Sequence, residues 1–137
     1  MAGHDPNLNF KNEVASRPGG ERALNCFLCG TCTAGCPISE LDGDFNPRLI
    51  MRRILFGMKD EVLGDGGIWK CYQCHVCVAH CPQDVRFADI IRVLRGMSVE
   101  QGYFKAELAR YVEDADKSYR GELLERVKSL LREAAAK

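Results

Sequence analysis

The sequence lacks an excess of charge of either sign, because 19 Lys and Arg residues balance 19 Asp and Glu residues. Nucleic-acid-binding proteins carry clustered positive charge, so this balance gives no reason to expect nucleic acid as a partner. The sequence also lacks an apolar run long enough to cross a bilayer, and its first residues lack the basic and apolar regions of a signal peptide. We therefore expect a cytoplasmic protein without membrane insertion.

Motifs of common enzyme classes are missing too. No G-x-G-x-x-G fingerprint of a dinucleotide site and no G-x-S-x-G nucleophile motif occurs in the chain. No two cysteines are adjacent, and none lies outside two cysteine-rich blocks. The sequence therefore offers no candidate catalytic residue and no substrate site of its own.

What the sequence has in abundance is cysteine, with eight residues in two blocks. The blocks read CFLCGTCTAGCP from Cys26 and CYQCHVCVAHCP from Cys71, and each follows the pattern C-x2-C-x2-C-x3-C-P. Every cysteine of the second block follows its counterpart in the first by 45 residues. In a reducing compartment this duplication indicates metal binding rather than disulfide bonds.

Each block can wrap one cuboidal iron–sulfur cluster. The first three thiolates lie within seven residues, and a cube with four iron corners needs a fourth thiolate from elsewhere. In two-cluster ferredoxins with this cysteine run, the fourth cysteine binds the other cluster. Crossed ligation should also couple cluster loading to folding. We therefore predict two 4Fe–4S clusters, the first held by Cys26, Cys29, Cys32 and Cys81 and the second by Cys71, Cys74, Cys77 and Cys36.

Structural zinc is the main alternative for these cysteines, but zinc usually takes paired C-x2-C knuckles from separated segments. Two triplets, each with a spaced fourth cysteine, fit that pattern poorly. His75 and His80 lie inside the second block, yet thiolates already fill all eight ligand positions, so we expect both histidines to line the loop. Gly30 and Gly35 occur only in the first block, so the two clusters need not share a reduction potential.

Helical spacing dominates the rest of the chain and predicts an all-α fold. Asn46 and Pro47 indicate a helix start, Gly57 its end, and Asp84 the cap of a later helix. Leu8 and Phe10 alternate as in a short strand. We predict an irregular N-terminal arm over 1–20, an α-helical ferredoxin domain with two 4Fe–4S clusters over 21–101, and C-terminal helices over 102–137. The apolar faces of those last helices either cover the protein's own core or form a docking surface.

Five basic residues flank the blocks. Cations beside an anionic cluster would raise its reduction potential, whereas the alternative is that they are solvated or paired at the surface. These residues are Arg48, Arg52, Arg53, Lys70 and Arg86.

The blocks CFLCGTCTAGCPIS and IWKCYQCHVCVAHCPQDV, with Asn46-Pro47-Arg48 and a helix between them, resemble the C subunit of heterodisulfide reductases. The resemblance covers about residues 20 to 100. It implies an iron–sulfur subunit of a hetero-oligomer, which takes electrons from a flavin-bearing A subunit and passes them to a B subunit. In that family the B subunit holds the noncubane clusters that cleave a disulfide. The adjacent cysteines of the B subunit are absent here, so this chain is expected to act as an electron relay.

Other functions remain open at this point. A freely diffusing ferredoxin-like carrier is one, although such carriers often have strongly acidic surfaces and this chain has balanced charge. A protein whose fold is stabilised by bound metal but that has no redox activity is another. C-type subunits also serve sulfur-oxidising complexes, and the wider superfamily includes anaerobic dehydrogenases.

Overall fold

The computed structural model describes residues 6–135, and in this part of the chain all regular secondary structure is helical. The predicted all-α fold class is therefore confirmed. Two single 3₁₀ turns, Ala23–Asn25 and Gly66–Trp69, each lead into a cysteine block. The α-helices are α1 Phe10–Ala15, α2 Thr31–Ala34, α3 Pro37–Leu41, α4 Pro47–Leu55, α5 Lys59–Leu63, α6 Val76–His80, α7 Phe87–Glu100 and α8 Ala106–Ala135.

The chain divides into two compact units, with the boundary between Phe104 and Lys105. The first unit contains helices α1 to α7 and both cysteine blocks, and the second consists of α8. No helix within residues 6–135 combines the length and the apolar character that a membrane span requires.

The core of the first unit is built on α4 and α7. In α7, Ile90, Ile91 and Leu94 are fully buried, and their spacing of three and four residues places them on one helical face. Fully burying a side chain of this kind contributes about 1.5–3 kcal/mol. Helix α4 adds Met51 and Ile54, which are also almost completely buried. These two helices form the apolar support beneath the cysteine loops.

Helix α4 begins and ends as its sequence predicts. The side chain of Asn46 accepts a hydrogen bond from the backbone N–H of Leu49 at 3.0 Å, and Pro47 is the first helical residue. After the helix, Gly57 has φ +77°, and a Cβ there would lie 2.4 Å from the carbonyl oxygen of Asn7. Only glycine fits that close approach of two backbone segments.

The N-terminal segment differs from its prediction. The expected short strand at Leu8 and Phe10 is wrong, because residues Phe10–Ala15 form helix α1 and the arm is therefore not irregular throughout. Phe10 and Val14, four residues apart, are both fully buried. Burying both side chains on one helical face favours a helix more strongly than the apolar alternation of Leu8 and Phe10 favours a strand.

Two further helix predictions need correction. Asp84 does not cap a helix, because α7 begins at Phe87 after Arg86, while Asp84 has φ +48° and forms an ion pair with Arg22. The C-terminal segment forms the single helix α8 rather than several helices. It contains no proline, and one central glycine, Gly121, costs only about 1 kcal/mol. The domain bounds 1–20, 21–101 and 102–137 stay a prediction.

Candidate metal centres

The structure gathers the eight free thiols around two neighbouring cavities. Each cavity is lined by the first three cysteines of one block together with the fourth cysteine of the other. Cys77 lines both cavities, as does Phe87. The cysteines of the first cavity, apart from Cys77, are Cys26, Cys29, Cys32 and Cys81, and those of the second are Cys36, Cys71, Cys74 and Cys77.

Short helices bring the fourth cysteines into place. Helices α2 and α6, which carry Cys32 and Cys77, pack against each other. Cys36 directly precedes α3, whose first residue is Pro37, and Cys81 directly follows α6. The paired helices thus carry each fourth cysteine across to the triplet of the other block.

The two cysteine loops share one backbone conformation. Leu28 and Gln73, which are equivalent in the duplication, have φ +61° and +62°. Gly30 and its equivalent His75 have φ +88° and +62°. Such left-handed turns direct successive backbone N–H groups into a concavity that accepts anions, as at many iron–sulfur sites.

Backbone N–H groups also point at sulfur in both loops. The N–H of Leu28 donates to the thiol of Cys26, and the N–H of Gln73 donates to that of Cys71. Another such bond runs from the N–H of Val85 to Sγ of Cys81 at 3.4 Å. The N–H groups of Thr31, Thr33 and Ala88 donate in the same way to Cys29, Cys32 and Cys77. The backbone of the loops alone therefore supplies hydrogen-bond donors to the cysteine sulfurs.

Burial dominates the chemistry of most of these thiols. It raises the pKa of Cys26, Cys32 and Cys71 above the ordinary thiol value, since a buried thiolate loses its hydration. Burial, followed by the charge of Cys71, raises the pKa of Cys77 to about 12. These thiols are poor free nucleophiles, and a bound metal that replaces their protons would supply the missing positive charge.

Cys29 is the contrasting case. Its Sγ lies 3.3 Å from the hydroxyl Oγ1 of Thr31, and this bond is the main cause that lowers the pKa of the Cys29 thiol. The position equivalent to Thr31 in the second block is Val76, which has no hydroxyl. The second loop has a different side-chain donor, because Nε2 of Gln73 lies 3.6 Å from Sγ of Cys71.

Among the five basic residues expected near the clusters, Arg48 lines the first cavity. Its Nε donates to the carbonyl oxygen of Leu28 at 2.7 Å. The other four interact with side chains outside the cavities, as the alternative of paired surface residues predicts. Arg53 pairs with Asp65, Lys70 with Asp42 and Arg86 with Asp89, and Arg52 lies over the ring of Phe56.

Sequence reasoning missed Arg95, which lies beside the second block. Its Nε donates to the carbonyl oxygen of Ile68 at 2.9 Å, and its Nη2 donates to those of Trp69 and Cys71. The guanidinium also lies 5.4 Å from the centre of the Trp69 ring. No motif marks this residue, since it is 14 residues beyond Cys81 on a core helix.

Two ion pairs connect the chain segments that carry the crossed cysteines. Arg22, before the first triplet, pairs with Asp84, after Cys81. Lys70, which precedes the second triplet, pairs with Asp42, which follows Cys36, and the two charged groups are 2.6 Å apart. Each pair therefore joins the two segments whose cysteines share a cavity.

The residues present fit an iron–sulfur cluster in each cavity. Four soft thiols line the second cavity and five line the first, because Cys77 lies between them. Backbone N–H groups are directed at sulfur, and the remaining walls are largely apolar. Across residues 6–135, no three His, Cys, Asp or Glu side chains form a site for a single metal ion. A cube has four separate iron corners, so its thiolates need not converge on one point. The apolar walls include Met51, Val85 and Phe87 at the first cavity and Ile38, Phe45, Pro47 and Phe87 at the second.

Comparison with known proteins agrees with this geometry. Residues 22–85, which contain all eight cysteines, match the family described as the 4Fe-4S dicluster domain. Curated relatives that match beyond this domain carry one recurring description, the C subunit of a heterodisulfide reductase. The chain belongs to the C-subunit family of heterodisulfide reductases.

Three members of this family illustrate the similarity. The C subunit of the H2:CoB-CoM heterodisulfide,ferredoxin reductase of Methanothermobacter thermautotrophicus is 34% identical over 92 residues, which cover 67% of this chain and 49% of the relative. The C 2 iron-sulfur subunit of the CoB-CoM heterodisulfide reductase of Methanocaldococcus jannaschii is 35% identical over 105 residues, which cover 70% of this chain and 54% of the relative. The C2 subunit of the H2/formate:CoB-CoM heterodisulfide,ferredoxin reductase of Methanococcus maripaludis is 35% identical over 109 residues, which cover 74% of this chain and 58% of the relative. The chain thus spans about half the length of the curated relatives it matches.

Proposed function

We propose that this chain is the electron-relay subunit of a heterodisulfide reductase-type complex. It would pass single electrons through two 4Fe–4S clusters, from a flavin-bearing A subunit to a catalytic B subunit that holds noncubane clusters. The observation that carries this proposal is the composition of the two cavities, where three thiols of one block meet the fourth thiol of the other. That arrangement gives each cluster a full set of four ligands.

The proposed ligands are those that the spacing of the cysteines predicts. Cys26, Cys29, Cys32 and Cys81 would hold the first cluster, and Cys71, Cys74, Cys77 and Cys36 the second. Anaerobically purified protein should contain about eight iron atoms and eight sulfides per chain, four of each per cluster. Zinc without sulfide would contradict the proposal.

The residues of this chain would do three things in electron transfer. The cysteine thiolates would fix each cluster in place, and the backbone N–H groups of Leu28 and Gln73 would offset negative charge on sulfur. Phe87, which is 3% exposed and lines both cavities, would keep water out of the space between them. When bound, a 4Fe–4S cluster supplies the capacity to accept and release one electron.

The crossed ligation has a direct test. Replacing Cys81 with Ser should alter the same low-temperature EPR signal as replacing Cys29, because both residues line the first cavity. Replacing Cys36 should alter the same signal as replacing Cys74, which lines the second. If Cys81→Ser instead altered the signal that Cys74→Ser alters, ligation would be local to each block and the crossed assignment would be wrong.

The partners and the compartment are further parts of the proposal. The names of the relatives describe subunits of larger reductases, and α8 carries apolar side chains such as Leu123 and Leu130 that are about half exposed. A helix of this kind suits binding to another subunit. Eight free thiols suit the reducing cytoplasm.

Affinity purification of the tagged chain from its native cells tests the partnership. Flavin and noncubane-cluster subunits should be retained in roughly 0.5 M salt, a concentration that screens surface charges within a few ångströms. Recovery of a cluster-loaded monomer, with partners that dissociate in modest salt, would favour the freely diffusing carrier.

A further inference from the structure

The two cysteine loops have equivalent backbones but different side chains beside sulfur. The matched N–H groups of Leu28 and Gln73 donate to the first cysteine of each block. These two backbone contributions match, so a difference in the reduction potential of the two clusters has to come from the other donors and charges around the sulfurs. The backbone N–H groups of Thr31, Thr33 and Val85 also donate to sulfurs of the first set, and that of Ala88 donates to Cys77 of the second. Donors and positive charge beside a ligand stabilise the more negative, reduced cluster and so raise its potential.

The hydroxyl of Thr31 lies close to a ligand sulfur of the first loop. Its Oγ1 lies 3.3 Å from Sγ of Cys29. A thiolate that binds iron carries no proton, so the hydroxyl must donate in this pair. Thr31 is the first residue of α2, and the equivalent first residue of α6 is Val76, which is close in shape and offers no donor.

Positive charge is also placed differently at the two cavities. Arg48 is part of the wall of the first cavity, where its Nε bond to the carbonyl of Leu28 holds it against the loop. Arg95 does not line the second cavity, and its guanidinium donates to backbone carbonyl oxygens of residues 68, 69 and 71. Its positive charge is still near enough to act on the thiol of Cys71, as that of Arg48 acts on Cys29. The second loop has its own donor in Gln73, whose Nε2 is farther from sulfur, at 3.6 Å.

We propose that Thr31 and Arg48 hold the first cluster at a higher reduction potential than the second, so that the first cluster is reduced before the second. This inference rests on the proposed function, since it assumes that both clusters bind as assigned. It concerns residues that are not ligands and that act through the sulfur of Cys29 and the charge of the cavity wall. Thr31 and Arg48 are therefore positioning residues that tune the relay.

An anaerobic potentiometric titration of the cluster-loaded chain, followed by EPR, tests this order. Signals are assigned with Cys29→Ser for the first cluster and Cys74→Ser for the second. In Thr31→Val, the ratio of reduced to oxidised first cluster at a fixed potential should fall about tenfold, which equals about 59 mV for a one-electron couple. The second cluster should titrate as in the unchanged protein.

The duplication supplies reciprocal variants. Val76→Thr places a hydroxyl at the equivalent position of the second loop and should raise the potential of the second cluster. Gln73→Leu, which copies Leu28 of the first loop, should lower it and widen the gap. Ser118→Ala removes a hydroxyl that bonds to Glu122 in α8 and should move neither potential.

The inference is wrong if the first cluster is reduced after the second in the unchanged protein, or if Thr31→Val leaves the first potential in place. It is also wrong if Thr31→Val shifts both clusters equally. Iron and sulfide assays of the same samples separate the two proposals. If both clusters are present but the second is reduced before the first, this inference alone is contradicted. A chain that contains neither iron nor sulfide contradicts the proposed function.

Discussion

The first and second cysteine blocks are two versions of one loop, and they differ in an instructive way. Their backbones agree even where the residues do not, because Gly30 and His75 both have positive φ. A histidine in this conformation costs of the order of 1 kcal/mol, and only a well-determined surrounding structure maintains it. The comparison shows that the loop is defined by its cysteines and its direction of turn, while side chains such as Thr31 and Gln73 are free to differ.

The walls behind the loops show the same division between shared and individual features. Phe87, at the start of α7, lines both cavities. Phe45, just before α4, lines only the second. Both are almost completely buried, at 3% and 2% exposure. One residue therefore belongs to both sites, and an equally large one belongs to a single site.

The largest expected effect comes from truncating these two aromatic residues. Phe87→Ala and Phe45→Ala should each lower the free energy of unfolding by about 3–5 kcal/mol, because a buried ring leaves a cavity. Phe87→Ala should destabilise both clusters against oxygen, whereas Phe45→Ala should mainly affect the second. Thermal unfolding under argon measures the first effect, and the loss of each EPR signal after timed exposure to air measures the second.

Phe87→Leu is the matched control, since leucine keeps most of the apolar volume and should retain both clusters. If Phe87→Ala released only one cluster, the residue would not be a common wall, and the two sites would be more independent than the structure indicates.

Much of this architecture could be predicted from sequence because it depends on local patterns. Spacing alone divides the cysteines into two equivalent sets, and the capping chemistry of Asn46 and Pro47 locates the start of α4. The structure brings the cysteines together in the predicted grouping, which supports the proposed ligands. The helical fold follows from apolar spacing in α4 and α7.

What could not be predicted depends on contacts between distant segments. Asp84 looks like a helix cap in sequence, but its partner is Arg22, 62 residues earlier. No sequence pattern marks Arg95, yet it donates to carbonyl groups that lead into the second block. Leu8 and Phe10 alternate over too few residues to distinguish a strand from the turn of helix that buries Phe10.

A smaller effect should distinguish the two left-handed positions. Gly30→Ala adds a Cβ at φ +88°, 3.3 Å from Cδ of Arg48, and should lower the free energy of unfolding by about 1–2 kcal/mol. His75→Gly should change it by less than about 1 kcal/mol, because relief of strain is offset by the greater freedom of glycine in the unfolded chain.

Midpoints of anaerobic chemical denaturation of the loaded chain measure both changes at the two left-handed positions. Gly66→Ala is a suitable control, since Gly66 lies in a turn without positive φ and an added methyl group there would have no neighbouring atom within 4 Å. Equal losses in Gly30→Ala and His75→Gly would mean that the histidine side chain itself supports the second loop.

The smallest effect is expected at the two ion pairs, Arg22 with Asp84 and Lys70 with Asp42. Both pairs are exposed, and exposed pairs contribute little because water and salt screen them. The bond from Lys70 holds the pKa of Asp42 below its usual range. The pair's contribution is therefore fully present above the ordinary carboxyl pKa and is lost as the pH falls through the lower, folded-state value.

At neutral pH both pairs are intact, so amide variants isolate their role. Asp84→Asn should speed the loss of the first cluster to an iron chelator, and Asp42→Asn that of the second, each by no more than a few-fold and less in high salt. Following each EPR signal over time measures the rates. Because each pair joins the segments that carry the crossed cysteines, the selectivity matters more than the size of the effect: if Asp84→Asn accelerated the loss of both clusters equally, the ion pairs would stabilise the fold in general rather than the site they adjoin.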